Sequence, residues 1–259
     1  MPAEPLLSDA ALVSVADVLG TAAKTKVLDQ LREFYERIYR AAFPDKEEAE
    51  DFAEWLAVLT EKGDAGYTLH PELLVSAKDG VIAGLMWEHY ERSNAVLATY
   101  LATDASVRRH GAARLLVGAM AAHARAGSKA WGGNPIIYAE LRDPKRAPPK
   151  TLAEDTARLT ILDRLGFRLL DCAYLQPPLE PGGPYCDHLR LACLPSGEQQ
   201  QELPAAGIML FLDDFFACLA KRTRALPSDE WRAMMARLKS SRSVALLPLA
   251  TLMPQSDRP

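Results

Sequence analysis

The chain has 259 residues, 49% of them apolar, which excludes disorder throughout and suits one large domain or two small ones. A formal charge of −4 excludes a general nucleic-acid binder, because such a protein needs a net basic face to displace counterions. The four cysteines, Cys172, Cys186, Cys193 and Cys218, show neither C-x-x-C spacing nor the density of a disulfide scaffold, which argues against a structural zinc and for a reducing compartment.

The N-terminal stretch MPAEPLLSDAALVSVADVLG carries no basic region followed by an apolar core, and residues 1–22 read as a loosely structured leader. No segment approaches the apolar run of about 20 residues that spans a bilayer, so a cytoplasmic protein without membrane contact is expected. From Val27 to Phe43, Leu28, Leu31, Tyr35, Ile38 and Ala42 recur at helical spacing, and Pro44 ends the run. A second helix is predicted in EEAEDFAEWLAVL, where Phe52, Trp55, Leu56 and Leu59 share a face. The period then changes to that of strands in ELLVSA, VIAGLMWEHYE and AVLATYLA, with Lys78-Asp79-Gly80 and Arg92-Ser93-Asn94 as the two turns.

The segment SVRRHGAARLL at 106–116 follows the third of these strands and opens a helix that carries Leu115, Leu116, Ala119, Met120 and His123 on one side. A helix start leaves N–H groups unpaired and adds a partial positive charge, so a turn holding Arg108, Arg109 and Gly111 is a candidate anion site. The other interpretation is an ordinary helix start with solvated arginines.

Downstream lie a strand, PIIYAEL, a long proline-containing stretch, RDPKRAPPKTLAED, and the helix TARLTILDRL, which Gly166 closes. FRLLDCAYLQ and CDHLRLACL read as two strands around PPLEPGGPY. Over 196–259 the chain becomes mainly helical, with SVALLPLATL as a last strand. This order of elements predicts an α+β fold, a mixed central sheet with helices on both faces.

Three motifs in this order resemble the GNAT superfamily of N-acyltransferases. Arg108-x-x-Gly111-x-Ala113, after a strand and Val107, is similar to its acyl-CoA loop. Ala139-Glu140-Leu141-Arg142 is similar to the L-E-V-R of its ribosomal-protein N-terminal acetyltransferases, and Leu165-Gly166-Phe167 to its L-G-F. The resemblance covers roughly 27–195, so a GNAT-like acyltransferase domain is expected over 23–195, with 196–259 as a helical extension packed on it.

The resemblance implies acetyl-CoA as the acyl donor, with no metal, and a primary amine on a small molecule or peptide as the acceptor, attacked directly in a ternary complex. Carried over, Arg109, His110, Gly111, Ala112 and Ala113 meet the pyrophosphate, with Arg108 beside them. Leu101, Ala102 and Thr103 offer backbone to the pantetheine arm, and one N–H there would face the thioester oxygen. Deprotonating an amine of pKa near 10.4 at neutral pH costs about 4 to 5 kcal/mol, so a positioned base matters. Glu140 is the candidate, with Glu88, His89 and Glu91 as competitors. Alternatively, Glu140 faces outward and is solvated.

Departures from the family pattern are informative. Leu162 stands where many members have the tyrosine that protonates the departing thiolate, and Asp155 stands near the place of an asparagine. The stretch between Arg142 and Gly166 is about ten residues longer than the family's, which suggests a loop over the acceptor site. The acid would then be Tyr174, Tyr138 or Tyr185, or the thiolate would leave unassisted. Loss of the tyrosine also suits a catalytically silent acyl-CoA-binding or regulatory module. The acidic run DKEEAEDFAEW reads as a solvated face or as a preference for cationic amines. FLDDFFACL reads as a packing face which, if exposed, would make a homodimer contact.

Overall fold

The computed structural model describes residues 7–44, 49–60, 65–146 and 151–253. It divides into two compact units, Met1–His89 with Ala98–Asn134, and Tyr90–Leu97 with Pro135–Pro259. Both combine sheet and helix, as the α+β class requires.

In the first unit the strand order is β1 (Ala10–Ser14), β2 (Tyr67–Ser76), β3 (Gly80–Tyr90) and β4 (Ala95–Thr103), the tip of the β3–β4 hairpin being grouped with the second unit. Of the stretch 1–22, expected as a loose leader, residues 1–6 lie outside the described residues, and the part from Ala10 to Val18 forms regular structure. Ala10–Ser14 pairs antiparallel with β2, Ala10 opposite Ser76 and Ser14 opposite Glu72, and the one-turn helix α1 (Val15–Val18) buries Val15 completely. Five residues, AALVS, are too short a run for period to reveal, and the pairing that fixes them lies some 60 residues away in sequence.

Helix α2 (Lys24–Glu33) continues through a π-helical turn, Phe34–Tyr39, into the last turn α3 (Arg40–Ala42). With α4 (Phe52–Thr60) it covers one face of β2, where Leu69 and Leu73 join Leu31, Phe34, Ile38 and Trp55 in a buried cluster. Successive side chains in a strand point to opposite faces, so His70 and Glu72 point the other way. There α5 (Ala112–Gly127) brings His123 Nδ1 to 3.3 Å from Glu72 Oε1. Helices therefore lie on both faces of β2.

The second unit contains β5 (Ile136–Arg142), α6 (Leu152–Arg164), β6 (Arg168–Leu170), β7 (Leu189–Leu194), β8 (Glu202–Pro204), α7 (Ala205–Thr223), α8 (Asp229–Ser240) and β9 (Ser243–Pro248). Its strand order is β5-β7-β6-β9-β8, with each pair antiparallel. Gly166, at φ 94°, ends α6 in a Schellman pattern: Phe167 N–H donates to Leu162 O at 3.1 Å and Gly166 N–H to Asp163 O at 3.0 Å.

The segment expected as a strand over 167–176 is extended only at β6, and then runs as a loop to a single bridge between Gln176 and Cys186. The stretch beyond 195 belongs to the same compact unit as β5 and β7. Its β9 pairs with β6, Leu169 opposite Leu247, and Phe211 of α7 stacks on Tyr138 of β5 at 4.3 Å. FLDDFFACL does pack inward: Phe211, Leu212, Phe215, Cys218 and Leu219 are buried, and Asp214 accepts from Ser93 N and Oγ at 2.9 and 3.0 Å.

Candidate functional site

The turn from β4 into α5 is built from backbone strain and one acidic cap. Asp104 N–H donates to Ile82 O at 2.8 Å, and Asp104 Oδ1 accepts from Ser106 N and Oγ at 2.9 and 2.7 Å, which starts the 3-10 turn Ala105–Val107. Arg37 Nη1 donates to Asp104 Oδ2 at 3.0 Å, while its other nitrogen reaches Val81 O and Glu33. The Ser106 hydrogen bonds, aided by Arg37 and Arg108, hold the Asp104 carboxyl below its ordinary value despite some desolvation.

The chain then turns through two left-handed residues, Arg109 at φ 70° and Gly111 at φ 93°. Such a conformation costs a side chain about 1 to 2 kcal/mol, so Arg109 stores strain that the surrounding turn sustains. Gly111 caps α5 with no side-chain hydrogen bond, and the first bond of the helix is Leu115 N–H to Gly111 O, 3.1 Å. The N–H groups of Ala112, Ala113 and Arg114 thus have no intrahelical acceptor. A Cβ built on Gly111 would meet no atom within 4 Å, so space is open above the turn. Arg108, Arg109, His110 and Gly111 are exposed, Ala113 is half-buried and Ala112 is buried. Leu101, Ala102 and Thr103 form the last three residues of β4, and Ala102 points into the core.

In the second unit Glu140 and Tyr174 meet. The Tyr174 hydroxyl donates a short hydrogen bond to Glu140 Oε1, and Gln176 Nε2 lies 3.0 Å from both carboxylate oxygens. Glu140 is half-buried on β5 opposite Leu191, and Tyr174 is buried. Desolvation, then the charge and hydrogen bond of Glu140, hold the Tyr174 phenol well above its ordinary pKa. Gln176 was not singled out in the sequence, and its role depends on the bridge to Cys186, which no local pattern announces. Asp104 had a readable signal, since Asp-x-Ser is an Asx-type cap.

The other candidates have different surroundings. Tyr185 donates to Leu226 O at 2.8 Å and accepts from Ser228 N–H at 3.2 Å, which clasps a loop. The Tyr138 hydroxyl is buried with no partner among the described residues, and burial raises its pKa. His89 is buried, with its ring stacked on Trp131 at 3.8 Å; Glu88 is buried and Glu91 exposed. Leu162 lies half-buried on α6. Asp155 is 2% exposed, and neither of its oxygens has a hydrogen-bond partner among the described residues. The long stretch after Arg142 is tied down at its start, where Lys145 N–H donates to Asp143 Oδ1 at 3.0 Å; residues 147–150, like 45–48 of the acidic run, lie outside the described residues. Among the described residues no group of three His, Cys, Asp or Glu could hold a metal, and no helix is long and apolar enough to cross a membrane.

No protein-family model and no curated protein sequence matches the chain. Among solved structures it is similar to a GNAT-family protein from Bacteroides thetaiotaomicron, with 17% identity and a TM-score of 0.47 over 73% of this chain and 88% of that one. It is also similar to the ribosomal-protein-S18-alanine N-acetyltransferase from Escherichia coli, with 14% identity and a TM-score of 0.43 over 74% and 98% of the two chains. An aminoglycoside 6'-N-acetyltransferase complexed with coenzyme A gives 13% identity and a TM-score of 0.43 over 71% and 94%.

Proposed function

We propose that the chain is a GNAT-type N-acyltransferase that moves an acyl group, acetyl in the first instance, from acyl-CoA to a primary amine by direct attack in a ternary complex. The observation that carries this proposal is the left-handed Arg109–Gly111 turn opening a sixteen-residue helix, with open space above Gly111 and exposed arginines beside it. Unpaired N–H groups and the positive end of a helix dipole suit a pyrophosphate. In this assignment the N–H groups from Arg109 to Ala113 hold the phosphates and Arg108 adds to the field. The backbone of Leu101–Thr103 lines the pantetheine arm.

Glu140 is assigned the amine's proton. A carboxylate accepting from both Tyr174 and Gln176 is held in one orientation, from which it can act as a base. Tyr174 stays protonated because burial and Glu140 hold its pKa high. Once Glu140 has taken the amine proton, the phenol no longer faces a charged acceptor, and its own proton is available to the departing thiolate. That route needs no tyrosine at position 162.

The test is amine-dependent loss of the thioester. The wild-type chain should turn over with an amine from a panel of peptide, polyamine and aminoglycoside acceptors. Glu140→Gln should lower kcat by about 10² to 10⁴-fold with acyl-CoA affinity unchanged. Leu162, which has no proton to give, favours the second reading, a silent acyl-CoA-binding module; that protein would bind acyl-CoA and release no thiol with any amine. Equal turnover in wild type and Glu140→Gln would remove Glu140 from the chemistry.

A further inference from the structure

The second unit holds a thiol and an imidazole that the acyl-transfer assignment leaves unused. Cys186 Sγ lies 3.4 Å from His188 Nδ1 and 3.5 Å from Nε2. The main chain around them is fastened at three consecutive residues. Cys186 exchanges both backbone hydrogen bonds with Gln176, at 2.9 and 3.0 Å; Asp187 O accepts from Arg146 Nη1; and His188 O accepts from Asp143 N–H at 2.8 Å. The thiol and the ring are therefore held together by the fold, and both are half-buried, within reach of solvent.

The remaining cysteines have a different character. Burial pushes the Cys172 thiol up to about 11 and the Cys193 thiol up to about 12, while Cys218 is buried in α7. The thiolate is the reacting form of cysteine, so Cys172 and Cys193 stay inert near neutral pH. Cys186 also adjoins the proton-handling cluster. Its backbone partner Gln176 donates to Glu140, which also accepts from Tyr174.

We infer that Cys186, with His188 as its proton acceptor, is a modification site that captures a small disulfide, and that the adduct disrupts the Gln176–Cys186 bridge and so disables the Glu140–Tyr174–Gln176 cluster. His188 takes the thiol proton and the Cys186 thiolate attacks one sulfur of the disulfide. The S–S bond breaks, and the second sulfur leaves as a thiolate that is then protonated. Cys186 is oxidised to a mixed disulfide while the departing half of the reagent is reduced, and excess thiol reverses the exchange. A group added at Sγ places bulk on a half-buried residue whose main chain makes the bridge that positions Gln176. Only the loss of turnover rests on the acyl-transfer proposal; the capture and the broken bridge do not.

The full chain would be treated with glutathione disulfide and followed by intact mass, peptide mapping and hydrogen exchange. The expected result is one adduct per chain at Cys186, reversed by dithiothreitol, with faster exchange at the amides of Gln176 and Cys186 and loss of thioester turnover. Cys186→Ser should take up no label and keep its turnover, and His188→Asn should label at least about tenfold more slowly. Labelling at Cys172 or Cys193 first, or equal rates in His188→Asn, would overturn the site. An adduct at Cys186 with unchanged exchange would overturn its effect on the cluster. Absence of turnover in the untreated chain would instead contradict the acyl-transfer proposal, and the labelling and exchange results would still decide this one.

Discussion

At the scale of single residues, Arg109 and Gly111 make opposite predictions from the same backbone conformation. Arg109 adopts φ 70° with a side chain, so Arg109→Gly relieves strain of about 1 kcal/mol and should leave thermal stability unchanged or raised while weakening acyl-CoA binding. Gly111→Glu adds strain, bulk and a carboxylate where phosphate would approach. It should cost about 1 to 2 kcal/mol of stability and abolish binding. The variant still folds, since no atom lies within 4 Å of the new Cβ. Urea melts and acyl-CoA titrations of the two variants separate these effects. Residue type and order made the turn legible in RRHG, but the sequence carried no sign of which of the four residues would bear the strain. Glu140 was legible as an acid in an apolar strand. Its donor Gln176 was not, because that contact depends on the bridge to Cys186.

At the scale of elements, the long N-terminal helix was readable from its 3.6-residue period, but the π-helical turn Phe34–Tyr39 inside it was not. One turn with a slightly longer period falls within the tolerance of any hydrophobic pattern. The turn sets Phe34 against Gly84 of β3 so closely that a Cβ there would lie 2.7 Å from the ring. Phe34 is fully buried among Tyr39 and Trp55 and has little room to withdraw. Gly84→Ala should therefore destabilise by about 1 to 3 kcal/mol, seen as a lower urea midpoint with an unchanged slope, and Phe34→Leu in that background should recover part of the loss. The strand expected over 167–176 shows the same limit of local pattern. Ala173, Tyr174 and Leu175 look strand-like, yet only Gln176 finds a bridge, and its partner Cys186 lies beyond a proline-rich loop.

At the scale of the whole molecule, composition and element order were enough for the α+β class, whereas the compact units were not visible as a composition shift. Both sides of residue 195 lie in one unit, where β9 returns to pair with β6 and α7 packs on β5. Burial of ionisable groups gives a prediction for this unit. The Cys172 and Cys193 thiols stand at about 11 and about 12 against an ordinary 9.0, so the unfolded chain loses these protons first as pH rises. Stability present below pH 9.0 is lost progressively through the folded values, and the buried phenols of Tyr138 and Tyr174 add the same sign from 10.0 upward. Urea midpoints should fall between about pH 8 and about pH 10.5, and fall less in Cys193→Ala.

The central claim is that the turn into α5 holds the phosphates of an acyl-CoA, and calorimetric titration of the purified chain with acetyl-CoA tests it most directly. Saturable binding at one site per chain, lost in Gly111→Glu, is the predicted result. Absence of binding at millimolar ligand would contradict the claim and leave Arg108 and Arg109 as solvated charges at an ordinary helix start.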